Sequence, residues 1–177
     1  GGGMILTDDE QLAEKARYYV TQAKDDPIYY IHNEIGYNLR LTNLQAAIGV
    51  AQLEKLPEFL HRKNEIHLKY YNEIKKIGGV KLVQAPTYSD NNYWMNVLHI
   101  SSKKFGRDRD TLMKDMAKKG IESRPIWYPN HLQKPNINYQ KYKIEQAIKL
   151  VENSLCLPSS SSLADDDIKR VVAVLNG

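Results

Sequence analysis

Asn38 and Arg40 sit in the run Gly36-Tyr37-Asn38-Leu39-Arg40-Leu41-Thr42-Asn43-Leu44-Gln45-Ala46-Ala47-Ile48-Gly49, immediately before a change of texture from polar loop to amphipathic helix. A side-chain amide donates two hydrogen bonds to an anion without adding charge, and a guanidinium offers a fork of donors matched to phosphate or carboxylate. Thr42 and Asn43 are both N-cap types, so a helix is expected to start there. A helix start gathers free N–H groups at the positive end of the macrodipole. A loop that places Asn38 and Arg40 beside it is suited to hold a phosphate. The residues alone leave the alternatives open. An asparagine after Gly36-Tyr37 also reads as a turn former, and Arg40 also reads as a salt bridge that orders the loop. Tyr37 either packs the loop or turns its hydroxyl toward the site.

A second candidate region is Arg124-Pro125-Ile126-Trp127-Tyr128-Pro129-Asn130-His131, rich in proline and aromatic residues, where a loop carrying function is expected. The remaining reactive residue types carry weaker signals. His32 has no partner at metal-ligand spacing, and His61 and His67 would not share a helix face, so no metal site is expected. Cys156, flanked by Leu155 and Leu157, reads as a buried structural thiol rather than a nucleophile. Gly1-Gly2-Gly3 lacks the Gly-Lys-Ser/Thr of a phosphate loop and reads as the remains of a turn.

Three segments in order along the chain resemble the DegT/StrS family of nucleotide-sugar aminotransferases. Gly2-Gly3-Met4-Ile5-x-Thr7-x-Asp9 is similar to the strand after the family's lysine loop. The Gly36 to Leu53 stretch, including Gln45-Ala46-Ala47-x-Gly49-x-Ala51-Gln52-Leu53, resembles its signature. Arg124-Pro125-x-Trp127-Tyr128-Pro129-x-His131-x-Gln133-Lys134-Pro135 resembles its Arg…Tyr-x-x-His-x-Gln segment. The resemblance implies pyridoxal phosphate as cofactor, held as a Schiff base by a lysine that the family places before the Gly2-Gly3-Met4 match. No catalytic residue is therefore expected within this chain, and the chain alone is expected to be inactive. The family's asparagine at the place of Asn38 reaches across a homodimer with shared active sites to the cofactor phosphate of the neighbouring subunit. The resemblance thus assigns Asn38 and Arg40 to the cofactor. It assigns Tyr37, Arg124, Tyr128 and His131 to the nucleotide-sugar substrate, with His131 hydrogen-bonding the sugar or its diphosphate rather than shuttling a proton.

Bulk composition bounds the alternatives. The chain has 177 residues, 42% hydrophobic and 26% charged, with a formal net charge of +4, as in a globular domain. No apolar run is long enough to span a bilayer and no signal peptide is visible, so no membrane and a cytoplasmic location are expected. A single cysteine excludes an internal disulfide. Lysines are spread beside acidic residues without a block of five like charges, which favours solvated helix faces over a nucleic-acid surface.

The elements that must position these residues follow from periodicity and punctuation. Met4 to Leu6 reads as a buried strand, and Thr7 or Asp8 as the cap of a helix to about Val20. A long helix is expected from Leu44 to about Ile77, kinked or split at Pro57 and ended by Gly78-Gly79. Strands are expected at Val80 to Ala85, Tyr93 to Ile100 and Ile121 to Trp127, with Trp94 and Trp127 in the core. Helices are expected from Asp108 or Asp110 to Lys119, from Ile144 to Val151 and from Ile168 to Leu175, with Leu157-Pro158 and Ser159 to Ser162 as an interruption. The fold class is therefore α/β then α+β: the end of a fold-type-I aminotransferase large domain, a long connecting helix, and a small C-terminal α+β domain with an antiparallel sheet. The expected division is 1–79 and 80–177. The expected function is the C-terminal portion of an aminotransferase acting with glutamate on a keto nucleotide sugar for bacterial surface glycans. The alternative is a non-catalytic α+β module that binds nucleic acid or a protein through an aromatic sheet face. On an isolated half, Leu44 and Ile48 are expected on an adhesive surface.

Overall fold

The computed structural model of the chain describes residues 2–177, so Gly1 of the glycine run lies outside the described residues. Six α-helices and four short strands follow in the order α1 (Glu10–Val20), α2 (Asn43–Ile74), β1 (Val80–Leu82), β2 (Asn96–Ile100), α3 (Ser102–Phe105), α4 (Arg109–Lys118), β3 (Arg124–Pro125), α5 (Glu145–Glu152), β4 (Ser154–Leu157) and α6 (Asp165–Asn176). Two compact units result, 2–56 and 57–177, and the division falls within α2. No helix among the described residues is long and apolar enough to cross a membrane.

In the first unit Asp9, one residue beyond the expected cap, accepts the Leu12 N–H and starts α1. Met4 to Leu6 is exposed and forms no strand, because no strand among the described residues of this unit is placed to pair with it. The unit buries little apolar surface: Ala23 is its one buried hydrophobic residue among those described.

The second unit holds the core. Its sheet has the order β1-β2-β4-β3 with every pairing antiparallel. β2 buries Asn96, Leu98 and Ile100 on one face by strict alternation. Ile66, Tyr70 and Ile74 of α2 join Leu98, Leu112, Met116, Leu155, Val171 and Leu175 in one cluster. The second half of α2 is therefore the helix that closes this sheet, and the compact unit begins at Pro57. α2 continues through Pro57 without splitting, and Gly79, at φ +81°, turns the chain into β1.

Several expected boundaries move. β4 occupies Ser154 to Leu157, where an interruption was expected, and all four residues are buried between β2 and β3. β2 starts at Asn96 instead of Tyr93. Asn91 and Asn92 accept the N–H groups of Tyr93 and Trp94 at 2.8 and 3.0 Å, and Tyr93 takes φ +46°, so the chain is still turning there. Trp94 and Trp127, expected in the core, are 62% and 60% exposed. Each lies just outside a strand end, on backbone that does not alternate into the sheet. The aromatic sheet face that a nucleic-acid module would need is therefore not built from Tyr93 and Trp94.

Candidate functional site

The loop carrying Tyr37, Asn38 and Arg40 is built against the C-terminal end of α1. Gln22 and Ala23 both take left-handed conformations, φ 75° and 48°, and reverse the chain after Thr21. The returning strand then pairs with it. Tyr37 N–H donates to the Tyr19 carbonyl at 2.9 Å, Gln22 N–H to the Tyr37 carbonyl at 3.1 Å, and Leu39 N–H to the Val20 carbonyl at 3.0 Å. Thr21 and Asn38 form an antiparallel bridge. Gly36 is required at the crossing, since a Cβ there would lie 2.4 Å from the Ala23 nitrogen.

Side chains lock the same loop. Asp25 accepts the Asn33 N–H at 2.7 Å and the Tyr18 hydroxyl at 3.1 Å, and the Asn33 N–H above all holds its carboxyl below the usual range. The Tyr19 hydroxyl donates to Glu34, which raises the phenol above its ordinary value. His32 Nδ1 lies 2.8 Å from the Gln22 carbonyl, so this histidine pins the turn. The backbone of Asn38 is thereby fixed while its side chain, with those of Tyr37 and Arg40, stays exposed. No carboxylate among the described residues pairs with Arg40. Thr42 then closes a capping box: its Oγ1 accepts the Gln45 N–H at 3.3 Å, and Gln45 Oε1 accepts the Thr42 N–H at 3.0 Å. An exposed amide and an unpaired guanidinium, displayed just before a capped helix start, are donors of the kind a phosphate takes.

In the second unit Arg124 and Tyr128 line one cavity of about 620 Å³, with Ser123, Trp127, Cys156 and Ser159 among its walls. Arg124 donates twice to Glu122 Oε1, at 2.9 and 2.6 Å, and both side chains are exposed, so the pair orders this loop. His131 is half-buried in a 3-10 turn, Asn130–Leu132, and does not line this cavity. The Cys156 thiol is buried and burial pushes its pKa up, the opposite of an activated nucleophile. Trp127 of this lining lies against Trp94, ring centroids 5.8 Å apart and planes tilted by 38°.

A partly buried polar network that includes Ser159 carried no signal in the sequence. His67, 2% exposed, places Nδ1 2.7 Å from Asn96 Oδ1 and Nε2 3.2 Å from Gln84 Oε1, and stacks on Tyr93 with centroids 4.0 Å apart. Asn96 Nδ2 donates to Ser159 Oγ at 3.0 Å. Lys63 Nζ donates to the Trp94 carbonyl and to Ser159 Oγ, both at 3.3 Å, and to the Ser159 carbonyl. Burial lowers the Lys63 pKa. Lys63 on α2 looks like one solvated helix charge among many, and Ser159 like one of a serine run. Only the tertiary fold makes them partners. Among the described residues no group of three or more His, Cys, Asp or Glu side chains is placed to hold a metal ion.

Comparison with known proteins covers the whole chain. The profile described as DegT/DnrJ/EryC1/StrS aminotransferase family matches residues 1–176. EpsN of Bacillus subtilis (strain 168) is 34% identical over 99% of this chain and 45% of its own length. GDP-perosamine synthase of Caulobacter vibrioides is 33% identical over 99% of this chain and 47% of its own length. The crystal structure of the aminotransferase TlmJ from Streptoalloteichus hindustanus superposes with a TM-score of 0.81 at 23% identity, covering 95% of this chain and 45% of that one. The chain thus spans about half the length of the curated relatives it matches. The match of the family profile from end to end, on a fold shared with a solved aminotransferase, means that the chain belongs to the DegT/DnrJ/EryC1/StrS aminotransferase family.

Proposed function

We propose that this chain is the C-terminal part of a cytoplasmic aminotransferase that moves an amino group from glutamate to a keto nucleotide sugar, for amino sugars of bacterial surface glycans. The observation that carries this reading is the family match over residues 1–176. The name of the Caulobacter relative, GDP-perosamine synthase, supports the nucleotide-sugar class. Pyridoxal phosphate, when bound, supplies the electron sink for moving the amino group. Asn38 and Arg40 hold its phosphate, on a loop whose backbone is fixed and whose donors are exposed. In a homodimer with shared sites these two residues serve the neighbouring subunit. Tyr37, Arg124, Tyr128 and His131 bind the nucleotide sugar; Arg124 does so by exchanging its exposed Glu122 partner for substrate phosphate, at small cost. Residues 1–79 then belong to the end of the large domain and its connecting helix, and 80–177 to the small domain. The 177 residues alone are expected to have no transaminase activity, because the family resemblance puts the Schiff-base lysine outside them.

The test uses the whole protein that carries this chain. Glutamate should convert its bound pyridoxal phosphate to the amine form, read by visible absorbance, and a keto nucleotide sugar should return it. Asn38→Ala should weaken cofactor retention by about tenfold or more, the loss of a hydrogen bond to a charged group. A protein that binds no pyridoxal phosphate, or whose absorbance ignores glutamate, would overturn the reading.

A further inference from the structure

We propose that His32 is a positioning residue for the cofactor phosphate, acting through the Gln22-Ala23 turn on Asn38. This rests on the cofactor role given to Asn38 above and deepens it by naming what sets that side chain in place.

The backbone from Thr21 to Asp25 is bonded to two returning segments. Toward the first, Asp25 N–H donates to the Ile31 carbonyl at 3.0 Å, and Asn33 N–H donates to the Asp25 carboxylate at 2.7 Å. Those two bonds bracket His32 and aim its ring. Toward the second, Gln22 N–H donates to the Tyr37 carbonyl at 3.1 Å, and Thr21 bridges Asn38. Gln22 is shared by both sides. Its N–H serves Tyr37, and its carbonyl lies 2.8 Å from His32 Nδ1. Asn38 thus follows in the chain a residue that is two hydrogen bonds from the imidazole.

The partners also fix which ring nitrogen carries hydrogen. Carbonyls only accept, and Nδ1 faces two of them, Gln22 at 2.8 Å and Ala23 at 3.2 Å. Nδ1 is therefore the donor, and Nε2 takes no part in the pin. A proton gained at Nε2 leaves the Nδ1 donor in place, so the pin holds in either charge state of the ring. What it pins is costly backbone. Gln22 and Ala23 are non-glycine residues in the left-handed region, at φ 75° and 48°. Such a pair persists only where its surroundings hold it. Without the imidazole both carbonyls lose their donor, and the turn can relax toward ordinary backbone. Relaxation at Gln22 withdraws its N–H from Tyr37 and displaces Asn38. A hydrogen bond weakens steeply once its geometry is lost, so a displaced amide holds a phosphate less well.

The experiment uses the whole protein that carries this chain. It reads the dissociation constant of pyridoxal phosphate and, separately, hydrogen exchange of the cofactor-free protein. His32→Ala should raise the dissociation constant by about tenfold or more. It should also speed exchange of the Gln22 and Leu39 amides, with the β2 amides unchanged as the sign that the fold is kept. His32→Asn, whose amide N–H falls where the Nδ1 hydrogen stood, should stay within about threefold of the parent. In the Asn38→Ala background, His32→Ala should weaken binding no further, because a group that acts through Asn38 then has nothing to place. His32→Gln, which carries its N–H one bond farther out, repeats the cycle should His32→Ala fail to fold. Unchanged cofactor affinity in His32→Ala, beside a loss in Asn38→Ala, would overturn the positioning role and leave the cofactor reading standing. Losses that simply add in the double variant would overturn it as well, since His32 would then act by another route. Unchanged affinity in both single variants would remove Asn38 from the cofactor, and the positioning role with it.

Discussion

Gly36, Asp25 and Asn38 show how the exposed loop of the first unit is made rigid without a core. Gly36 admits the Gln22-Ala23 backbone at a distance no Cβ tolerates. Asp25 ties Asn33 to Tyr18. The reward is a fixed backbone at Asn38. Gly36→Ala should therefore destabilise this loop by roughly 1–3 kcal/mol, the ordinary cost of forced overpacking. Hydrogen exchange would read it as faster exchange of the Tyr37 and Leu39 amides, with the β2 amides unchanged; equal protection in variant and parent would contradict the crossing as described. The candidate residues of this loop were legible in the sequence because amide, guanidinium and N-cap types stand side by side. The clamp that holds them was not. Gln22 and Ala23 are ordinary residues whose left-handed backbone arises only when the two ends of the loop meet.

At the scale of elements, helices capped by local chemistry were the most readable. Asp108 accepts the Thr111 N–H at 2.7 Å and starts α4, as its position before a helical pattern implied. β4 was the least readable, because four residues buried on both faces carry no alternation, and the adjoining Pro158 and serines point to a loop. The N-terminal turn of α6 is joined to α2 through Asp165, whose carboxylate meets Lys69 Nζ at 2.6 Å and Arg62 Nη2 at 3.1 Å. Lys69 first, then Arg62, holds this carboxyl below its ordinary value. A carboxyl lowered in the folded state contributes stability that is present above its unfolded pKa, about 3.9, and is lost as pH falls through the lower folded value. Asp165→Asn should lower the thermal midpoint at neutral pH and make stability less steep below about pH 4. Parallel pH profiles for variant and parent would show that Asp165 contributes no linked stability.

At the scale of the whole molecule, the second unit has a continuous core and the first has almost none. In the first unit Leu44, Ile48 and Leu53 on α2 are 75%, 59% and 68% exposed. Apolar surface of this extent favours association. The isolated chain should self-associate in sedimentation velocity, and Leu44→Glu with Ile48→Glu should shift it toward monomer; a parent chain that stays monomeric at high concentration would count against the adhesive surface. The two halves of α2 carry apolar residues alike, but Ile66, Tyr70 and Ile74 meet a sheet whereas Leu44 and Ile48 meet none within their own unit. The sequence by itself determined the family, the helices, the antiparallel α+β class and the three-segment pattern of candidate residues, because those rest on residue identity, local capping and periodicity. Tertiary structure alone decided that Trp94 and Trp127 leave the core to form an exposed pair, that Ser154 to Leu157 is a central strand, and that Lys63, His67, Asn96 and Ser159 share one partly buried network. Each of those depends on contacts between residues distant in the chain, and no local pattern encodes which distant partners will meet.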